Sequence, residues 1–330
     1  MIPPRMLRAG LLLAGLFTAS AASAGYSGLY VFGDSDSDAG NLAAMGVPLQ
    51  TGADIVSPVS VAGAYSPSLT ASNGAVWSQQ LSARLGLGPL TASLAGGTDY
   101  ATSGAFLSTT ALSPLPSVSQ QVDSFVAQPG AASGSALYVI EGGTNDFRMA
   151  AKDALQVIMG GGDPTGVITA FIAQYVSETA SMIGKLKADG AQHILVWNLP
   201  DVTRSPVYIA TTPSASLLSA MQAALMAANA TLQAQLGGIP GVTILDAFGI
   251  LTDLVDNPGQ HGLANVSDPC YDGTCDTSTN LFWDGMHLTS AGYQAFADAA
   301  YDAVAIPEPG TLALSLAGLA LTGRRLRRRG

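Results

Sequence analysis

Leu29-Tyr30-Val31-Phe32-Gly33-Asp34-Ser35 is a run of four apolar residues that stops abruptly at a Gly-Asp-Ser turn. Apolar residues in a short run that does not alternate suit a strand covered on both faces, as in a parallel sheet. Three more runs share the pattern: Ala136–Ile140, which ends in Glu141-Gly142-Gly143, His193–Trp197 and Val242–Leu245. Thr98–Ala101 reads as one further, shorter strand. Helical patterns lie between and after them. Residues 166–188 carry apolar positions at helical spacing and stop at Gly190. Residues 214–236 are rich in Ala, Leu, Met and Gln, with no Gly or Pro inside. Residues 289–304 form a last helix, with Thr289 or Ser290 as its N-cap. Strands alternating with helices predict an α/β sandwich around a mainly parallel sheet. The stretch 43–72 lacks clear periodicity and reads as a long excursion beside a substrate cleft. Ligands of such sheets sit beyond the carboxyl ends of the strands, so the residues just after each run are the ones to examine.

Both ends look like processing signals. Residues 1–24 have Arg5 and Arg8, then a short apolar core, then Ala22-Ser23-Ala24 as a small-residue cleavage site, which predicts a signal peptide. The other end has Pro307-Glu308-Pro309, an apolar stretch from Thr311 to Leu321 and five arginines among the last seven residues. That order resembles a PEP-CTERM sorting signal. The resemblance implies a bacterial protein handled by export and sorting machinery and delivered to the cell surface or its matrix. The body between, residues 25–306, is long enough for one large domain. It keeps six of the 13 basic residues and 22 of the 23 acids, a formal charge of −16. So acidic a body repels nucleic acid and anionic headgroups. The two cysteines, Cys270 and Cys275, predict a local disulfide in an oxidising compartment. Zinc is the alternative, but two thiols and three scattered histidines offer it few ligands.

Three places carry residues fit for chemistry. After the first run, Asp34, Asp36 and Asp38 have the spacing of a calcium loop. Such a loop needs Gly at its sixth position and an acid at its twelfth, where this chain has Ala39 and Met45. The other reading puts Ser35 on a sharp strand-to-helix turn, with its hydroxyl and N–H exposed. After the second run, Asn145 is an uncharged side chain with two N–H groups, as an oxyanion hole needs. Near the end, Asp284 and His287 are three apart on a turn. The carboxylate can accept the imidazole Nδ1–H and leave Nε2 free as a base. His193 opens a predicted strand, and His261 lies in a Pro- and Gly-rich loop with no acid at a useful spacing. His287 is therefore the leading base. No Gly-x-Ser-x-Gly elbow and no His-Glu-x-x-His motif occur.

Taken together, these blocks resemble the GDSL (SGNH) lipase/esterase family over nearly the whole body. Phe32-Gly33-Asp34-Ser35 with Ser37-Asp38-Ala39-Gly40-Asn41 is similar to its first block and implies Ser35 as nucleophile. Gly97–Ala101 leading to Gly104-Ala105 is similar to the second and implies the Gly104 N–H as an oxyanion donor beside that of Ser35. Here Ser103 precedes Gly104, where the family usually pairs glycines. Gly143-Thr144-Asn145-Asp146 resembles the third and implies Asn145 as the side-chain donor. Phe282–His287 resembles the last and implies Asp284 and His287 as triad members, with Leu288 where many relatives have proline. The fold implied is a three-layer α/β/α sandwich around a five-stranded, mainly parallel sheet, flavodoxin-like. The activity implied is hydrolysis of lipid or simple acyl esters through an acyl-enzyme, without metal or cofactor. The alternatives are removal of O-acetyl groups from an extracellular polysaccharide, or a non-catalytic surface protein that keeps the fold.

Overall fold

The computed structural model describes residues 25–305, apart from 49, 52–60, 63–68, 112, 129, 272 and 274. The predicted signal peptide, the C-terminal sorting signal and the middle of the 43–72 excursion lie outside the described residues. The elements in chain order are β1 (Leu29–Phe32), α1 (Asn41–Ala44), β2 (Gln50–Thr51), β3 (Val61–Ala62), α2 (Trp77–Arg84) and α3 (Val118–Val126). Then come β4 (Leu137–Ile140), α4 (Thr144–Met159), α5 (Thr165–Asp189), β5 (His193–Trp197) and α6 (Pro206–Thr211). The last are α7 (Ala215–Leu236), β6 (Val242–Leu245), α8 (Ala247–Asp256) and α9 (Ser290–Val304).

Strands β1, β4, β5 and β6 lie side by side in that order, all parallel. Phe32 stands opposite Ile140, so β1 and β4 finish level, and β5 and β6 finish together one residue further at Trp197 and Leu245. The separate pair β2–β3 is antiparallel. The sheet has four strands among the described residues, not the expected five. Thr98–Ala101 does run beside β1, but it makes a single parallel bridge, between Asp99 and Val31. Val31 N–H donates to Thr98 O and Tyr100 N–H donates to Val31 O. The next rung needs the Gly33 N–H, and that group donates instead to the side-chain oxygen of Gln121 at 2.9 Å. Thr102 N–H still donates to Gly33 O, so a side chain from α3 leaves the second rung half made and only the one bridge is complete.

Alternation along each strand divides the core into two layers. Phe32, Tyr138, Ile140, Ile194 and Val196 pack with residues of α3, α4, α5 and α7. Leu29, Val31, Leu137, Val139, Leu195 and Trp197 pack with residues of α2, α8 and α9. Helices on both faces explain why the strand runs show no polar alternation. The aromatic ring of Trp197 stacks on Phe296 at 4.8 Å and tilts against Trp77 at 4.5 Å. Such pairs add about 1 kcal/mol each beyond the area they bury.

The long helices follow the sequence reading closely. Gly190 ends α5 with φ +119°, which favours a residue without Cβ. Ser214 starts α7 by accepting the Leu217 N–H, and Thr289 starts α9 by accepting the Gly292 N–H. The sequence reading names no helix at α1, α2, α3, α4, α6 or α8. Of these, α3 opens on a capping box formed by Ser117 and Gln120.

Candidate active site

The three predicted site segments meet at the carboxyl ends of β1 and β4. Beyond β1 the chain turns sharply. The N–H groups of Ser37 and Asp38 both donate to Asp34 O, and Asp36 N–H donates to Asp34 Oδ1 at 3.2 Å. Glu141, at the end of β4, braces the turn from beneath. Its Oε2 accepts the Asp34 N–H and the Ser37 hydroxyl, both at 3.0 Å. The Ser37 oxygen in turn accepts Trp77 Nε1–H at 3.0 Å. A Cβ on Gly33 would come 2.5 Å from Glu141 Oε2, so only glycine lets that carboxyl approach. Ser35 is left at the apex, and its N–H meets no protein acceptor among the described residues.

The second segment is built on the first. Asp38 Oδ2 accepts both the N–H and the hydroxyl of Ser103 at 2.8 Å. Its Oδ1 accepts the N–H groups of Gly40 and Asn41 at the start of α1. Asn41 Nδ2 then donates to the carbonyls of Asp99 and Ala101. The Ser103 N–H is therefore committed, whereas Gly104, at φ +82°, has an N–H that meets no protein acceptor among the described residues. Asn145 sits in the first turn of α4. Gly143 before it has φ +105°, and a Cβ there would press on the Tyr175 ring at 3.0 Å. The Asn145 amide donates to Ala105 O at 3.0 Å and, more loosely, to Asp34 Oδ2 at 3.3 Å.

The third segment is a tight loop closed by an antiparallel bridge between Phe282 and Leu288. Asp284 Oδ1 accepts the N–H groups of Met286 and His287 at 2.7 Å, which fixes the carboxylate. Its Oδ2 lies 2.7 Å from His287 Nδ1, and His287 Nε2 lies 2.8 Å from Ser35 Oγ. A carboxylate only accepts, so Nδ1 carries the proton and Nε2 faces the serine. Burial works against charging this imidazole. The charge and hydrogen bond of Asp284, with Asp36 and Asp34 adding, outweigh it and hold His287 up at about 9.

Ser35, Asn145 and His287 line one cavity of ≈ 30 Å³, together with Asp36, Trp197 and Tyr293. Gly104 does not line it. Asp36 has its Oδ1 2.6 Å from the Tyr293 hydroxyl, which donates to it. Asp34, Asp36 and Glu141 bring carboxyl oxygens within 4.8 Å of one another. Burial first, and then Asp36, pushes Asp34 up to about 7. Burial, with Asp34 and Asp36 adding, pushes Glu141 well above the usual carboxyl range. Burial and mutual repulsion thus push the carboxyls of this trio toward their neutral forms.

Sequence reading missed Asp36, Asp38, Glu141, Gln121 and Tyr293. Asp36 and Asp38 stood out in sequence as an Asp-x-Asp-x-Asp spacing, which fails as a calcium loop at Ala39 and Met45 and assigned them no role. The other two histidines lie elsewhere. His193 opens β5, its ring edge-on to Tyr26 at 5.4 Å. His261 does have an acid partner, contrary to expectation: its Nε2 is 2.8 Å from Asp253 Oδ2. The acid comes from the preceding helix α8, eight residues back, a spacing that no single helix turn would pair. Cys270 and Cys275 form a disulfide. The N–H of Cys270 donates to Trp283 O, which ties that loop to the residue before Asp284.

The family model of GDSL-like lipases and acylhydrolases matches residues 29–300. An uncharacterized protein in the trpE-trpG intergenic region of Pseudomonas putida is 31% identical over 92% of this chain and 52% of its own length. The thermolabile hemolysin of Vibrio parahaemolyticus is 23% identical over 56% of this chain and 46% of its own. The chain thus spans about half the length of the curated relatives it matches. An alpha/beta hydrolase enzyme from the metagenome of Lake Arreo, Spain, is similar at a TM-score of 0.40 and 16% identity, covering 84% of this chain and 94% of its own. The family's name spells Gly-Asp-Ser-Leu, and this chain reads Gly33-Asp34-Ser35-Asp36. On a match that runs from β1 into α9, the chain belongs to the family of GDSL-like lipases and acylhydrolases.

Proposed function

We infer that the protein is an exported serine esterase that cleaves carboxylic esters through an acyl-enzyme on Ser35. The observation that carries this reading is the unbroken chain from Asp284 Oδ2 through His287 to Ser35 Oγ, at 2.7 and 2.8 Å. In the first step His287 Nε2 takes the hydroxyl proton as Ser35 Oγ bonds to the ester carbonyl carbon. The carbonyl becomes an oxyanion, met by the N–H groups of Ser35 and Gly104 and by the Asn145 amide. For this the Asn145 N–H on its 3.3 Å contact with Asp34 turns to the oxyanion. The oxyanion collapses, the alcohol leaves with the proton from His287, and an acyl-Ser35 ester remains. Water then repeats the sequence with His287 again as base and releases the acid and free Ser35. Asp284 holds the imidazole tautomer and stabilises the imidazolium.

Export rests on the signal-peptide pattern of residues 1–24 and the sorting-signal pattern of residues 307–330. The acidic composition accords with it. The test is labelling of the purified protein with a fluorophosphonate, beside a Ser35→Ala control. Stoichiometric labelling that the control loses is expected. A folded protein that does not label would instead be a non-catalytic relative.

A further inference from the structure

We propose that the cavity between the loop Phe106–Thr110 and helices α4 and α5 is the subsite for the bulk of the substrate, and that it takes a neutral, hydroxyl-bearing ring such as a sugar unit. The proposal rests on the esterase reading above. The cavity at Ser35 and His287 measures ≈ 30 Å³, room for about two waters. The larger cavity measures ≈ 360 Å³, within the range of small-molecule pockets. Only a small acyl fragment fits the first, so the rest of an ester must extend elsewhere.

The larger cavity is lined by residues that follow the oxyanion donors closely along the chain. Phe106 is two residues beyond Gly104, a reach of about 7 Å, and Asp146 directly follows Asn145. Two bonds hold these walls together. Asn145 Nδ2 donates to Ala105 O at 3.0 Å, and Leu107 N–H donates to Asp146 Oδ2 at 3.0 Å. The two helices each give one face. Asp146, Met149, Ala150 and Asp153 on α4 are spaced i, i+3, i+4, i+7, as are the α5 residues on the facing wall, Phe171 among them.

The chemistry of the walls selects the occupant. No Lys or Arg lines the cavity, and two carboxyls do, so an anionic group is repelled. A long alkyl chain would strip water from Asp146 and Asp153 and return no hydrogen bond. A sugar ring lays its C–H face on Phe106 or Phe171 and donates its hydroxyls to the carboxylates.

The test compares kcat/KM of the full chain on p-nitrophenyl acetate with that on an acetylated oligosaccharide, for wild type, Asp153→Ala and Phe106→Ala. Asp302→Ala on α9, outside the cavity, is the control. Asp153 is exposed, so its variant keeps the fold. The expected result is a selectivity for the acetylated sugar that drops about tenfold in both cavity variants, mainly through KM, and is unmoved in the control. Equal losses on both substrates, or a wild type that prefers long-chain esters or acetylcholine, would overturn the proposal while the esterase reading stands. A wild type that neither labels with fluorophosphonate nor cleaves p-nitrophenyl acetate refutes the esterase reading itself. Calorimetric titration of Ser35→Ala with the acetylated oligosaccharide then decides the subsite separately: saturable binding weakened by Asp153→Ala supports it, and no binding ends it.

Discussion

The hydroxyl of Tyr293, on the last helix, donates at 2.6 Å to Asp36, the residue that follows Ser35 in the first turn. Where the family name has leucine, this chain therefore places a carboxyl with a buried, fixed partner, in the same cavity as His287. Its charge adds to that of Asp284 in holding a proton on the imidazole.

A pH dependence follows from that arrangement. In the proposed mechanism His287 acts as base only when its Nε2 is unprotonated, and it sits at about 9. Activity should rise from neutral into alkaline solution and level off near that value. Asp36→Asn removes a negative neighbour, destabilises the imidazolium and moves the rising limb to lower pH. A pH profile of kcat/KM for both proteins checks this, and coincident limbs would contradict it.

In the proposed mechanism Asn145 is the oxyanion donor supplied by a side chain. Asn145→Ala should lower kcat about 10²–10³-fold with little change in fold. Steady-state kinetics beside circular dichroism separates the two effects, and an unchanged kcat would remove Asn145 from the oxyanion hole.

Glu141 offers a stability test. Its folded pKa is raised well above the value of about 4.3 expected in the unfolded chain. The folded state thus holds its proton longer. The stability from this group is complete below about pH 4.3 and is lost as pH rises toward the folded value. Glu141→Gln should fold and should flatten that decline. Glu141→Ala leaves the Asp34 N–H and the Ser37 hydroxyl without their buried partner and should cost about 2–4 kcal/mol. Denaturant melts at several pH values read both variants.

Asp38 does for the Gly104 loop what Glu141 does for the nucleophile turn. It takes four N–H groups and one hydroxyl, from Gly40, Asn41, Leu42 and Ser103. Asp38→Ala should lower stability by several kcal/mol, since each orphaned buried donor costs about 1–3 kcal/mol. It should also slow acyl-enzyme formation, because Ser103 no longer fixes its neighbour Gly104. Stopped-flow bursts with p-nitrophenyl acetate at a temperature where the variant stays folded would read the second effect.

Much of this was legible because the chemistry sits directly after strand-like runs. The segments around Ser35, Asn145, Asp284 and His287 could be picked out one by one, and order along the chain joined them. Long helices such as α7 were legible from composition, since Ala, Leu and Gln favour helix whatever surrounds them. The loss of the fifth strand was not legible, because Gln121, far along the chain, takes the Gly33 N–H that would have completed the second rung. The supporting carboxyls were not legible either. A buried Asp38 and an exposed Asp302 look alike until the fold decides which one loses its water. The His261–Asp253 pair failed for the same reason, since it depends on how a short turn folds back on α8.

Ser35 and His287 are 252 residues apart, one just after the first strand and the other just before the last helix. Loop closure over that length comes late in folding, after local helices and neighbouring strands have formed. A nascent chain made at about 5–20 residues per second carries Ser35 early but lacks its base for most of its synthesis. Until then Ser35 is an ordinary hydroxyl without its imidazole neighbour. Competence arrives as a single late event, when the end of the domain docks. A fragment cut between β6 and Asp284 would keep the four sheet strands and carry neither Asp284 nor His287 beside Ser35.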